Sequence, residues 1–558
     1  MDYTKIVEVY EQLEETQSTL EMTSVIAKFF SENEEQLEEV ILLCMGRSFP
    51  YWKDLDLGIS SKTVVDILQE VTGKTSSEIE DVWRDEGDLG TAAEKLMESG
   101  GGQQSLMSQE LTVERVNEKL EKVARMGEGG GETGKVSMDK KKREVAVLLN
   151  DADPTEAKYI VRTFLENLRL GVGEGIIRDA LAEAFFDGEH KEKIQKGYDL
   201  TNDFKEVARA CKEGIEELDK LEIEIFRPIN SMLAKKVDTI EEGFEEVGEP
   251  AAIDYKYDGM RAQIHKKGDE VKVFTRRLED VTEQFPDVKN AVKENVETEK
   301  CIIDTEIVAY DPEDGSTIPF QKLSKRIKRK YDIQKLKKEI PVEVRPFDLI
   351  YEDGSKLDTL YQKRWARLEM IVNEENRKIR MADHSVTEDP EEVQELQQKS
   401  LAEGHEGIMM KSLDAEYKPG NRVGYMVKLK PVMETLDLAI IGAKWGEGRR
   451  SNWLSRLKLG CWDEKNQEYQ MVGRMATGLT DEQLEEITEK LKPLIVEEDG
   501  RDVKVKSEVI IEAEYEEIQK SPNYSSSYAL RFPRMKQFRD DKEEADSLEK
   551  VENLYDSQ

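Results

Sequence analysis

A lysine followed one residue later by Asp-Gly, in Lys256-Tyr257-Asp258-Gly259-Met260-Arg261, directly succeeds the alternating run Ala252-Ile253-Asp254-Tyr255. Alternation marks a half-buried strand and Asp-Gly a tight turn, so Lys256 is expected at a strand end. Chance supplies a K-x-D-G match in roughly one chain in ten of this length, and the bland reading is a turn carrying a surface lysine. The chemical reading is a nucleophile. A lysine amine attacks only when neutral, although its unperturbed pKa is about 10.4. Nearby cations favour the neutral amine, and Arg261, Lys428 and Lys430 could supply them.

Other reactive residue types follow in order. In Asp304-Thr305-Glu306 a strand would set both carboxylates on one face, and in Val427-Lys428-Leu429-Lys430 it would do the same for two lysines. Two lysines so placed suit a phosphate. Glu406-Gly407-Ile408-Met409-Met410-Lys411 joins a carboxylate to a strand-like run, and Arg345-Pro346-Phe347-Asp348 offers an aromatic face for a base. Each alone also reads as a hairpin edge or core strand.

The elements that must position these residues change character along the chain. Up to about residue 225, apolar residues recur at three and four, as in Thr63 to Val71, Thr112 to Val123 and Ala157 to Leu168, which predicts an all-α domain over 1–225. Gly100 to Gly102 and Gly127 to Gly131 read as loops between helices. Near Arg227-Pro228 short alternating runs begin: Val271 to Phe274, Cys301 to Val308 and Val342 to Phe347 are strand-like, with a helix over Arg364 to Val372, predicting an α+β domain over 226–430. From 431 to 558, Leu438 to Ile441, Leu457 to Cys461, Tyr469 to Val472 and Val509 to Tyr515 are strand-like around one helix, Asp481 to Lys490, which suggests a small β-barrel of the OB-fold type.

Composition narrows the classes further. A chain of 558 residues exceeds one hydrophobic core. No apolar run resembles a signal peptide or spans a bilayer, so a cytoplasmic protein without membrane contact is expected. Cys44, Cys211, Cys301 and Cys461 form no C-x-x-C pair, and with four histidines a thiolate or imidazole metal centre is not expected. Any metal should be a hard cation held by oxygens. The net charge of −37 should repel nucleic acid at long range, so DNA binding would need local basic surfaces. Two runs offer them: Lys140 to Arg143, and Lys322, Lys325, Arg326, Lys328, Arg329 and Lys330. Such runs are more often solvated faces than phosphate grips.

Taken together these motifs resemble an archaeal or eukaryotic-type ATP-dependent DNA ligase of the nucleotidyltransferase superfamily, across nearly the whole chain. The resemblance implies that Lys256 is adenylylated and that Asp254, Arg261, Arg276, Glu306, Phe347, Arg422 and Lys428 line the ATP site. Phe347 would stack on adenine and Glu306 hold the ribose. Lys428 and Lys430 would contact the α-phosphate, and Glu406, with Glu306, would hold Mg²⁺, with Mn²⁺ as an alternative. The tail from Leu530 through Arg531, Phe532, Pro533 and Arg534, then Arg539-Asp540-Asp541-Lys542, is similar to the family's last motif, which orients the pyrophosphate. Pro50-Tyr51-Trp52, Asp88-Leu89-Gly90 and Leu168 to Gly175 match the helical domain that grips nicked duplex DNA in this family. Gly171 and Gly173 before a helix would let backbone N–H groups approach a phosphate.

Some positions depart from the family pattern. Met426 stands where tryptophan is common and Asp254 where glutamate is common. Gln103-Gln104-Ser105-Leu106-Met107 lacks the two aromatics of the usual clamp-docking segment, leaving at most a weak sliding-clamp contact. The resemblance implies three transfers, to Lys256, to the 5′-phosphate of the nick and to its 3′-hydroxyl. Because these steps need different partners near the phosphate, a hinge is expected near Lys430 to Glu434, and with no oligomerising element visible a monomer is expected. Rival readings are an RNA ligase or capping guanylyltransferase, neither of which usually carries the long helical domain, an NAD-dependent ligase, whose cysteine zinc module is missing, and a DNA-binding scaffold with a decayed site.

Overall fold

The computed structural model describes residues 1–53, 55–99, 110–126, 134–327, 332–431, 433–446 and 450–556, with backbone alone at 134–136. The two glycine-rich loops, the clamp-like segment Gln103 to Met107, the basic residues Lys328, Arg329 and Lys330, and Val432 of the expected hinge lie outside the described residues. By internal contact the chain divides into two units, one of 1–58, 109–144 and 163–431, the other of 59–108, 145–162 and 432–558.

Through Lys220 the described elements are helical, and the first strand is Leu233–Val237. Two of the expected helices begin on side-chain caps: Ser60 accepts from Thr63 N–H and Thr112 from Arg115 N–H, so Ser61–Thr72 and Val113–Arg125 start where the sequence places an orphan-donor partner. The third expected helix, Pro154–Phe164, stops short of Leu168. Glu166 and Arg169 turn to positive φ, and Leu168 tucks against Gly46, where even an added Cβ would lie 2.8 Å from its own. Tertiary packing ends the helix that periodicity would extend.

The larger unit carries two sheets. One contains β1 (Leu233–Val237), β2 (Ala251–Lys256), β8 (His384–Thr387), β9 (Gly407–Ser412) and β10 (Arg422–Leu429), in the order β1-β10-β9-β2-β8. All its neighbours are antiparallel except β1 with β10. The other contains β3 (Met260–Lys267), β4 (Glu270–Thr275), β5 (Lys300–Tyr310), β6 (Thr317–Ile318) and β7 (Val342–Glu352), with β5 between β3 and β7. The turn Tyr257 to Gly259 joins the two sheets. Their cores are separate: Val281, Phe285, Val292 and Ile303 fill one, and Phe244, Ile253, Met410 and Val427 the other.

In the second unit, β11 (Leu436–Lys444), β12 (Leu457–Asp463), β13 (Glu468–Met475), β14 (Ile495–Asp499) and β15 (Asp502–Val505) run in the order β13-β12-β11-β15-β14. There β16 (Ile510–Glu514) pairs with β11 and with β19 (Arg534–Phe538), while β17 (Glu517–Lys520) and β18 (Tyr528–Arg531) form a separate ribbon. Pairing among the described residues leaves this sheet open, so the architecture is a β-rich domain. The helix Asp481–Leu491 inserts Leu484, Ile487 and Leu491 into its core. No described helix is long and apolar enough to cross a membrane.

Candidate active site

Strand register brings the nucleophile candidate and its neighbours together. Lys256 ends β2 opposite Gly407, and the Glu406 N–H donates to the Lys256 carbonyl at 2.8 Å. The Glu406 carboxylate thereby meets the Lys256 ammonium, and Lys430 joins the same oxygen at 2.7 Å. Burial pushes the Glu406 carboxyl up, but Lys256 and Lys430 overcome it and hold it at about 2.

Two glycines make this approach feasible. At Gly259 a Cβ would lie 2.7 Å from the Ile307 carbonyl and 2.8 Å from Glu306 Cγ. At Gly407, with φ +134°, it would lie 2.4 Å from the Leu429 carbonyl. Asp258 is a positioning acceptor, taking the Phe320 N–H at 3.1 Å at the start of the helix Phe320–Ile327.

The second sheet supplies the other wall. Glu306 sits across from Arg261 on β3 and β5, within electrostatic reach of Lys256 and Glu406. Burial drives its carboxyl up to about 8, and Lys256 and Arg261 only partly oppose this. Arg261 is anchored by fully buried Asp304, at 3.1 and 2.6 Å, and donates to the Met232 carbonyl at 2.7 Å. Arg276 lies close to Arg261 and Arg422, and its pKa is lowered by burial first and then by those two cations. Phe347 is half-buried with cations at its ring: Lys411 Nζ stands 4.9 Å and Arg261 Cζ 5.4 Å from its centroid. Lys428, half-buried on β10, pairs in register with Met409.

Asp254 is 2% exposed and already engaged. His384 Nδ1 approaches it at 2.6 Å, Lys411 forms an ion pair with it, and Tyr361 OH lies at 3.4 Å. Burial pushes its carboxyl up, and Lys411 and His384 bring it below the ordinary range. Sequence pattern carries no sign of these roles for Lys411, His384, Asp304 and Tyr417, whose hydroxyl donates to Asp304 at 2.9 Å. The direct pairing of His384 with Asp254 across β8 and β2 leaves no trace in local pattern.

Arg531 belongs to the other unit, where it ends β18 and meets Glu517 at 3.1 Å. In that unit Arg539 contacts both Asp437 oxygens at 2.9 and 3.0 Å, and Lys542 joins the same carboxylate. Each basic run also contains a structural member. Lys141 is buried and donates to the Leu57 carbonyl at 2.7 Å. Arg326 is 1% exposed, paired with Asp287 and bonded to the Gln284 and Ile340 carbonyls, both at 3.1 Å. Neither is a surface phosphate grip. Gly173 caps the helix Glu174–Phe186 with extended backbone, and Gly171 has φ +74°.

Family comparison decides among the chemistries this cluster could serve. The model described as "ATP dependent DNA ligase domain" matches residues 231–430, "DNA ligase N terminus" matches 2–182, and "ATP dependent DNA ligase C terminal region" matches 450–542. The chain belongs to the ATP-dependent DNA ligases. DNA ligases of Nanoarchaeum equitans and Thermococcus onnurineus are each 42% identical to it, covering 100% of this chain and 99% and 98% of theirs. The DNA ligase of Archaeoglobus fulgidus is 41% identical, covering 100% of this chain and 98% of its own. A solved chain named Pmar-Lig_Pre aligns over 96% of this ligase and 99% of itself with TM-score 0.62; at 18% identity it shows the fold alone. The ligase therefore seals nicks in duplex DNA at the expense of ATP.

The site's donor set suits a divalent cation shared with phosphate. Mg²⁺ is typically held by one or two carboxylates, with water and phosphate oxygens completing its shell. Glu306 and Glu406 are two carboxyl groups within electrostatic reach of each other that fit such a role. Among the described residues no three His, Cys, Asp or Glu side chains converge on a metal.

Proposed function

We propose that Lys256 is the nucleophile of the first transfer and that ATP lies between the two sheets, over Glu306, Arg261 and Phe347. The observation carrying this reading is the convergence of Lys256, Glu406 and Lys430 on one point with Glu306 and Arg261 alongside. Lys256 Nζ, having given one proton to solvent water, forms a bond to the α-phosphorus while the bond from that phosphorus to the bridging oxygen breaks, pyrophosphate leaves, and a second proton passes from the nitrogen to solvent to give the phosphoramidate. Lys428 and Lys430 stabilise the charge that develops on the phosphate oxygens. Arg261, locked by Asp304, and Glu306 fix the ribose, and Phe347 stacks on the adenine. Mg²⁺ or Mn²⁺ at Glu306 and Glu406 would supply charge neutralisation for the phosphates.

A 5′-phosphate oxygen of the nick then attacks the AMP phosphorus and frees Lys256. Finally the 3′-hydroxyl attacks the 5′-phosphorus and AMP departs, closing the backbone. The reading divides the chain into a DNA-gripping helical domain (1–225), an adenylation domain (226–430) and an OB-fold domain (431–558), the last carrying Arg531, Arg539 and Lys542 toward pyrophosphate about a hinge at Lys430 to Glu434. The change from helices to strands before Leu233 supports the first boundary. It places the protein in the cytoplasm, as a monomer whose sliding-clamp contact through Gln103 to Met107 is weak at most.

The test is intact mass after incubation with ATP and Mg²⁺. A gain of one AMP in the wild type and none in Lys256→Ala is expected. An adduct that survives Lys256→Ala would sink the assignment.

A further inference from the structure

We infer that Tyr257 is a positioning residue for the nucleophile, aiming Lys256 through the lock between its phenol and Asp383. The inference rests on the reading of Lys256 as the attacking group. Successive side chains of an extended segment point to opposite sides, so Tyr257 leaves β2 away from the Lys256 side chain and is buried. Its hydroxyl donates to Asp383 Oδ2 at 2.8 Å and accepts the Asp383 N–H at 2.7 Å. The Asp383 carbonyl in turn accepts the Tyr255 N–H at 3.2 Å. A rotation of the chain that swung the Lys256 amine would have to break this pair of hydrogen bonds.

The lock is itself braced. Arg345 Nη1 holds Asp383 Oδ2 at 3.1 Å, and its guanidinium lies 5.4 Å from the Tyr257 ring centre. On the other flank the Tyr257 ring meets His405 edge-on, with centroids 4.8 Å apart. His405 directly precedes Glu406, the carboxylate that Lys256 contacts, so one buried ring abuts both strand ends that form that ion pair. Asp258 fixes the following turn through Phe320 and Glu406 N–H holds the Lys256 carbonyl, so the phenol is the side-chain constraint on the residue next to Lys256.

Tyr257→Phe keeps the ring packing and removes both hydroxyl hydrogen bonds. Two reactions are compared in the full-length protein: AMP transfer to Lys256 at varied ATP, followed by intact mass, and sealing of a chemically pre-adenylylated nick, in which Lys256 does not attack. Displacing a nucleophile by a fraction of an ångström to 1 Å costs up to about 100-fold in rate. The expected result is a fall in kcat for self-adenylylation of about 10- to 100-fold, with KM for ATP and the sealing rate within about twofold of wild type. Asp383→Ala, which removes the partner instead, should give the same split. Equal slowing of both reactions, or a change in KM alone, would overturn the positioning role in favour of general loosening. Unchanged rates in both variants would overturn it as well. If the wild type forms no adduct on Lys256, the nucleophile reading itself falls and takes this inference with it.

Discussion

Gly407→Ala should damage stability and adenylylation together, for reasons that can be worked through atom by atom. The residue has φ +134°, a region that costs a side-chain-bearing residue about 1–3 kcal/mol. An added Cβ would also lie 2.4 Å from the Leu429 carbonyl and 3.3 Å from Lys430 Cα. Ordinary contact begins near 3.4 Å, so β9 and β10 must part by roughly 1 Å, for a further ~1–3 kcal/mol of overpacking. At about 2–4 °C per kcal/mol for a domain of this size, the sum lowers its unfolding temperature by about 10 °C. The strain falls between Glu406 and Lys430, whose contact of 2.7 Å spans the same two strands, so the rate of AMP transfer should drop about 100-fold. Gly404→Ala is the control: its φ is also positive, but its Cβ would meet Thr317 at an ordinary 3.6 Å. Calorimetry and intact-mass time courses read both effects. A Gly407→Ala protein that unfolds within 2 °C of wild type and adenylylates at the normal rate would refute the reasoning.

Phe347→Ala should raise KM for ATP about tenfold with little change in the chemical step, since stacking of a base on an aromatic ring contributes about 1–3 kcal/mol; adduct formation at graded ATP checks it, and an unchanged KM rejects Phe347 as the stacking surface. His265 predicts a pH dependence of stability. Its ring is fully buried, Nδ1 accepts the Phe226 N–H at 3.0 Å, and Nε2 faces Gln263 Oε1 at 2.9 Å. Burial, then Lys272, lowers its pKa to about 3. Below the unfolded value of about 6.5 the unfolded chain binds a proton that the folded one refuses, so stability is lost as pH falls from about 6.5 toward 3. The loss between pH 7 and 5.5 should be about 1 kcal/mol. His265→Asn should flatten that stretch of the unfolding-temperature profile, and a slope identical to wild type would reject the assignment.

Local pattern made some of this site legible and was blind to the rest. The strand before Lys256 and the turn after it were visible because alternation and Asp-Gly are local signals, and β2 ends where the pattern does. The shared face of Asp304 and Glu306 follows from the same period, and both meet Arg261 on the neighbouring strand. Partner choice was invisible. Asp254 reads as a site residue, but its partners Lys411 and His384 lie on strands distant in sequence whose register no local rule sets. Arg326 and Lys141 read as members of solvated basic runs, but each is drawn inward to satisfy carbonyls. The onset of strands after Arg227-Pro228 was legible as a change of period. What pins that crossing was not: His265 and Gln263 accept the Phe226 and Ile229 backbone N–H groups, at 3.0 Å each.

The same partnering explains how so acidic a chain can hold a triphosphate. The net charge of −37 sets the long-range field, but within a partly buried site the nearest charges dominate because screening and dielectric are weaker there. Lys256 and Lys430 rest on Glu406, Arg261 on Asp304, and Lys411 on Asp254. Asp304 and Asp254 are buried with their cations, whereas Glu406 is the carboxylate held between the two lysines that, on the proposed reading, act on phosphate. If phosphate oxygens take the lysines, Glu406 is left a buried anion, and a divalent cation there would relieve it while displacing the proton that burial keeps on Glu306 up to about pH 8. On this reading the triphosphate and the metal enter as one exchange of partners, and neither should bind tightly without the other.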